Sequence, residues 1–200
     1  MNLLLLGPQG SGKGTQARRI ATEYGLPHIA TGDMFRDAIA AGTELGRRVE
    51  PILERGDLVP DELTVELIRE RLERGDTREG FVLDGFPRTL SQAETLDELL
   101  QEIGRELDVV FVFHLPEDVA ITRMQGRARE EGRSDDTPEA MRRRLEIYRE
   151  RTEPLVEYYR ARRGNVVGLH AERGIDEVFA EIQQALDQAS AQGPVRGRAR

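Results

Sequence analysis

Apolar residues fall along the chain in short runs, separated by longer stretches with helical spacing. Five runs read as strands, at 2–6, 27–30, 80–84, 108–115 and 165–170. Several are continuous, as in Leu3-Leu4-Leu5-Leu6 and Val109-Val110-Phe111-Val112-Phe113, which is the pattern of strands buried on both faces. Helical patterns separate the runs, so the expected fold class is α/β: β-α-β units around a five-stranded parallel sheet. Right-handed crossovers bring the loops after the strand C-termini to one edge, where motifs distant in sequence meet.

The helices carry their own start signals. A helix is expected over 14–24, and Pro116 with Glu117 and Asp118 opens another. Ser91 with Glu94 reads as a capping box for a helix through Leu100. Thr137 as N-cap and Pro138 at the first helical position predict a long helix toward Arg162, and 174–188 forms the last. Two segments interrupt the alternation. Residues 31–72 hold three helical pieces, broken at Gly42 and at Gly56-Asp57-Leu58-Val59-Pro60, which is more than a crossover needs and predicts a small helical subdomain. Residues 126–136 are polar and charge-dense, and spacing alone fits a lid over a site and a solvated connector equally well. The tail from Ala189 to Arg200 is small, polar and basic, and is expected to be disordered rather than a nucleic-acid contact.

Composition narrows the function. A chain of 200 residues with net charge −8 suits one domain and disfavours bulk nucleic-acid binding. The absence of cysteine excludes disulfides, thiol chemistry and thiolate zinc sites. Leu3–Leu6 is too short for a signal-peptide core, and no run has transmembrane length, so a cytoplasmic protein without membrane partners is expected.

The first apolar run leads into Gly7-Pro8-Gln9-Gly10-Ser11-Gly12-Lys13-Gly14-Thr15 and then a helix. Strand, glycine-rich turn and helix is the setting in which G-x-x-x-x-G-K cradles phosphates, with backbone N–H groups and a helix N-terminus converging on the anion. Lys13 is the only lysine in the chain. Gly14 stands where Ser or Thr commonly binds magnesium, which shifts the expectation toward nucleotide kinases and away from switch proteins. Asp84, ending the third run, is placed to organise a metal ion through water, and the Gly85-Phe86-Pro87 turn projects Arg88 to the same edge. Thr31-Gly32-Asp33-Met34-Phe35-Arg36 follows the second run, with Thr31 as N-cap and Arg36 able to grip a phosphate. Arg123, Arg127, Arg129, Arg133 and Arg142-Arg143-Arg144 crowd the fourth crossover, where phosphoryl transfer would require fixed cations and Asp135-Asp136 could anchor the loop.

Together, residues 7–15, Thr31 to Arg36, Asp57 to Pro60, Asp84 to Arg88 with Gln92, Arg123-x-x-x-Arg127, and Arg133-Ser134-Asp135-Asp136 through Arg144 resemble the adenylate kinase family, in order from Met1 to about Gln188. The resemblance implies reversible transfer, ATP + AMP = 2 ADP, with Mg2+ and a P-loop kinase-type three-layer fold. It implies a core of 1–30, 60–125 and 137–188, an AMP-binding subdomain at 31–59, a lid at 126–136 and a tail at 189–200. By resemblance, Gly10, Ser11, Gly12, Lys13, Gly14, Thr15, Arg123, Arg127 and the backbone near Arg173 meet ATP. Thr31, Arg36, Asp57, Leu58, Val59, Gly85, Phe86, Pro87, Arg88, Gln92, Arg133 and Arg144 surround AMP. Lys13, Arg88, Arg123, Arg133 and Arg144 carry the transfer, with Asp84 on Mg2+ through water. The lid is short and lacks the zinc-binding cysteines of longer members, so no structural zinc is expected. A monomer acting on ATP, AMP and ADP is implied. The rival readings are a UMP/CMP kinase, which would share the phosphate-binding residues, and a non-enzymatic nucleotide-responsive binder.

Overall fold

The computed structural model describes residues 1–131 and 135–191. Strands β1 (Asn2–Leu6), β2 (His28–Ala30), β3 (Phe81–Asp84), β4 (Val109–His114) and β5 (Val166–His170) form one parallel sheet in the order β2-β3-β1-β4-β5. β1 is central, pairing Leu5 with Asp84 on one side and Leu6 with Val112 on the other. The loops after β1, β3 and β4 therefore leave the sheet side by side.

Strand periodicity explains the continuous apolar runs. Alternate residues point to opposite faces. Leu4, Leu6, Leu83, Val110 and Val112 pack beneath α4 (Asp61–Leu72), α5 (Leu90–Glu102) and α8 (Pro154–Arg162). Leu3, Leu5, Val82, Phe111 and Phe113 pack beneath α1 (Lys13–Tyr24) and α9 (Ile175–Ala191). Both faces are covered, giving three layers, α/β/α. The inserted helices α2 (Thr31–Ala40) and α3 (Glu44–Glu54) share a separate small core of Phe35, Val49 and Val59, with Leu63 and Leu67 of α4 packed against it. A fourth cluster, Ala120, Met124, Met141 and Leu145, joins α6 (Glu117–Glu131) to α7 (Pro138–Ile147).

Several sequence expectations are corrected locally. Thr31 is the first residue of α2, not its cap, and Ala30 holds the cap position. The cap of α5 is Thr89, whose hydroxyl accepts from Gln92 N at 3.2 Å, so Ser91 lies inside the helix. α6 continues through Gly126 to Glu131, so the first half of the 126–136 segment is helical. The helix opened by Thr137 and Pro138 is interrupted by a π-helical turn at Tyr148–Thr152. α9 also extends through Ala191, three residues into the stretch expected to be disordered, while 192–200 lie outside the described residues.

Candidate functional site

The loop after β1 turns through residues that only glycine fits. Gly10 has φ +81°, and a Cβ there would come within 2.6 Å of the Ala120 carbonyl oxygen. Gly12, at φ +86°, caps α1 without a side chain, which leaves the first backbone N–H groups of the helix facing a cavity. Lys13 folds back over its own loop, donating from Nζ to the carbonyls of Gly7 (2.7 Å) and Pro8 (2.8 Å). Burial pushes its pKa down to about 8; Asp84 opposes the shift, while Arg88 and Arg127 add to it. Asp84 lies across from Gly14, its Oδ2 3.5 Å from where a Cβ would stand. Burial pushes the Asp84 carboxyl up, but His28, Lys13 and Arg88 together outweigh it and hold the carboxyl below its usual range. The His28 Nε2 is 3.7 Å from Asp84, beyond hydrogen-bond reach.

Arg88 follows the cis Phe86–Pro87 peptide and is clamped at three points. Its Nε donates to the Gly85 carbonyl at 2.7 Å, its backbone N–H to Gln92 Oε1 at 2.8 Å, and its carbonyl accepts from Thr152 Oγ1 at 2.9 Å. Burial, then Arg144 and Arg36, push its pKa down to about 10 against the pull of Asp84. Thr31 donates from Oγ1 to the same Gly85 carbonyl at 2.9 Å, tying α2 to the end of β3.

The remaining arginines are held by carboxylates and carbonyls. Arg123 donates to the carbonyls of Ala171 (2.7 Å) and Glu172 (3.2 Å), anchoring the turn before α9. Arg127 grips Asp136 with Nε and Nη2 at 2.9 and 2.7 Å. Arg144 is itself buried, pairs with Asp136, and donates to Asp135 Oδ2 at 2.6 Å and to the Leu53 carbonyl at 3.2 Å. Arg36 pairs with Asp33 and stands 3.8 Å from Asp135. Asp57 is bound by Arg143 (3.0 Å) and Arg55 (3.1 Å), which hold its carboxyl below the usual range.

These groups line one cleft of about 820 Å³. Gly10, Ser11, Gly12, Lys13, Gly14 and Thr15 line it, as do Asp84, Arg123, Arg127 and Arg173, and so do Arg36, Asp57, Leu58, Gly85, Pro87, Arg88 and Arg144. A side chamber of about 30 Å³ is lined by Thr31, Leu58, Val59, Gly85, Arg88 and Gln92. Phe86 is not brought to either; it is buried in the core. Arg133 lies outside the described residues. Asp135 and Asp136 are nearly buried, and their part in holding the arginines is signalled only by their adjacency in sequence. Thr152 and Asp61 give no sequence signal: each acts on a partner dozens of residues away.

A cleft lined by an open helix N-terminus and by several cations suits a chain of phosphates. Among the described residues no group of three or more His, Asp or Glu is placed to hold a metal ion. Asp84, a partly buried carboxylate beside the phosphate loop, fits a Mg2+ ion that takes its other ligands from water and phosphate oxygens. No helix among the described residues is long and apolar enough to cross a membrane.

Comparison with known proteins agrees with this geometry. The family model described as adenylate kinase matches residues 5–164. An adenylate kinase of Thermus thermophilus is 54% identical over 184 residues, covering 92% of this chain and 96% of the relative. One of Thermobifida fusca is 48% identical over 186 residues, covering 93% and 98%. One of Archaeoglobus fulgidus is 40% identical over an alignment of 214 positions that covers 94% of this chain and 98% of the relative. That alignment is longer than the present chain, so the relative carries internal residues with no counterpart here.

Proposed function

The chain belongs to the adenylate kinase family, and from that premise we propose how its residues divide the reversible transfer ATP + AMP = 2 ADP. It is a nucleoside monophosphate kinase, a phosphotransferase with a phosphate group as acceptor. The observation that carries the residue assignment is the cleft itself, which the glycine-rich loop lines together with Arg36, Arg88 and Arg144. In this reading Gly10 to Thr15 hold the ATP phosphates, Arg123 and Arg127 flank them, and the backbone around Arg173 meets the adenine of ATP. AMP lies on the other side, its phosphate on Arg36, Arg88 and Arg144 and its base in the side chamber beside Thr31, Val59 and Gln92. Arg133 joins the AMP side when the segment that carries it closes.

The AMP phosphate oxygen attacks the γ-phosphorus of ATP in line. One P–O bond forms, the bond from that phosphorus to the β–γ bridging oxygen breaks, and two ADP molecules leave. No side chain acts as a nucleophile. Lys13, Arg88, Arg123 and Arg144 supply fixed positive charge to the oxygens that carry charge in the transition state. Asp84 is the residue that would hold Mg2+, through water, and the ion would supply further positive charge to the phosphates of ATP. The subdomain at 31–59 and the lid at 126–136 are the parts assigned to closure over the substrates, which keeps water from the transferring group. The enzyme is read as monomeric and cytoplasmic, and its net charge of −8 supports the reading that it takes no nucleic acid.

A coupled assay for ADP, with ATP plus AMP, UMP or CMP, tests the reading. AMP is expected to be the preferred acceptor. Equal use of UMP or CMP would transfer the assignment to the pyrimidine kinases, and no turnover with any acceptor would leave only a nucleotide-responsive binder.

A further inference from the structure

The side chamber is lined by one side-chain amide, that of Gln92, while the hydroxyls of Thr31 and Thr64 already donate to the Gly85 and Pro60 carbonyls. That amide is 2% exposed and already half engaged. Oε1 accepts the backbone N–H of Arg88 at 2.8 Å, and Nε2 donates to Asp61 Oδ1 at 2.6 Å. The other carboxylate oxygen of Asp61 accepts from Thr89 Oγ1 at 2.9 Å, so the carboxylate cannot swing away without breaking a second bond. Asp61 is also the first residue of α4, where the helix N-terminus favours a negative charge.

These partners fix which way the amide points. A backbone N–H can only donate and an ionised carboxylate can only accept. Turning the Gln92 amide over would set its oxygen against the Asp61 carboxylate and its NH2 against the Arg88 N–H, losing both bonds at once. Held as it is, the amide has one lone pair on Oε1 and one N–H on Nε2 left over. An adenine edge offers an acceptor ring nitrogen beside a donor amino group. A 6-oxopurine offers the reverse, a donor ring N–H beside an acceptor oxygen. A freely turning amide matches either edge; a fixed one matches only one of them.

We propose that Asp61 is a specificity-determining positioning residue, fixing the Gln92 amide so that the chamber accepts a 6-aminopurine monophosphate and rejects a 6-oxopurine monophosphate. This rests on the reading of Gln92 as the contact to the base of AMP. Asp61 itself lines neither the cleft nor the chamber, so it acts only through Gln92.

The test compares AMP with IMP as acceptor at saturating MgATP, in wild type, Asp61→Asn, Asp61→Ala and Gln92→Ala, with melting temperatures measured alongside. The ratio of kcat/KM for AMP to that for IMP is expected to fall by about tenfold in Asp61→Ala, the weight of one hydrogen bond to a charged group. A smaller fall is expected in the isosteric Asp61→Asn, which can pair with the amide in either orientation. The KM for ATP should stay at the wild-type value in both. A purely structural role would depress AMP and IMP use together and leave the ratio at the wild-type value, and that result in either folded variant overturns the proposal. Gln92→Ala separates the two layers. If it leaves both the KM for AMP and the ratio untouched, the base-reading role of Gln92 is wrong. If it collapses the ratio while the Asp61 variants keep it, only the role of Asp61 is wrong.

Discussion

Replacing Arg88 by methionine should make the protein more stable and nearly inactive. The guanidinium is held in the cleft wall with Arg144 and Arg36 near it, and its pKa is pushed down to about 10 from an ordinary 12.5. At 1.36 kcal/mol per pH unit, keeping it charged costs the ligand-free protein at most about 3 kcal/mol, less whatever cavity water recovers. The sign follows from proton counts. The folded state binds fewer protons than the unfolded chain only between about pH 10 and 12.5, so the cost is complete at pH 7 and is relieved only above pH 10. Methionine keeps the aliphatic stem but loses the Nε–H bond to the Gly85 carbonyl, which offsets about 1.5 kcal/mol. The net gain is about 1 kcal/mol, or roughly 2–4 °C in Tm for a chain of this size. Activity should fall by about 100-fold or more, because a fixed charge at a transferring phosphoryl group contributes about 3 kcal/mol. Thermal unfolding without ligand and a steady-state assay with ATP and AMP measure both quantities. A Tm that drops by several degrees would mean that Arg88 is structural; activity within a few-fold of wild type would remove it from the transfer.

Three further outcomes are expected. Lys13, with its pKa pushed down to about 8, should make kcat/KM for ATP decline as the pH rises through 8, because the charged form that attracts phosphate prevails only below it; a flat profile to about pH 9.5, well past that value, would contradict this. EDTA should abolish turnover while leaving the ligand-free Tm unchanged, and a large fall in Tm would reveal a structural metal. Two adenosines joined through a polyphosphate should slow amide hydrogen exchange across both 31–59 and 126–131, and unchanged exchange in either segment would refute closure there.

Much of this architecture is legible in the sequence because burial on both faces of a parallel sheet leaves continuous apolar runs. Every strand lies within two residues of its apolar run, and the breaks at Gly42 and 56–60 divide α2, α3 and α4 as expected. What local rules miss, tertiary contacts decide. Ser91 and Glu94 match a capping box, but the Thr89 hydroxyl caps α5 and also reaches Asp61, a gain available only once α4 is in place. Gly126 reads as a loop boundary, yet α6 runs through it because Ala120 and Met124 pack on Met141 and Leu145, outweighing the roughly 1 kcal/mol that a helical glycine costs. The π turn before Pro154 follows from proline's missing N–H and the crowding of its ring. It brings Thr152 onto the Arg88 carbonyl, a contact that no pattern near Thr152 announces.

Asp135 and Asp136 give the cleft a further property. They hold Arg127 from α6, Arg144 from α7 and, at longer range, Arg36 from α2, while Arg144 also reaches the end of α3 through the Leu53 carbonyl. Arg36, Arg127 and Arg144 are thus already matched by resident anions before any nucleotide arrives, whereas Lys13, Arg88 and Arg123 rest on backbone carbonyls. Phosphate entry becomes an exchange of one anion for another rather than the filling of a bare positive hollow. Such an exchange responds less to added salt than the number of arginines alone would suggest, since an incoming phosphate displaces an internal carboxylate as well as mobile ions. Because Asp136 is shared between Arg127 and Arg144, an anion that captures Arg127 leaves that carboxylate to Arg144 alone. The first substrate to bind thus redistributes the charge pairing on the side that receives the second.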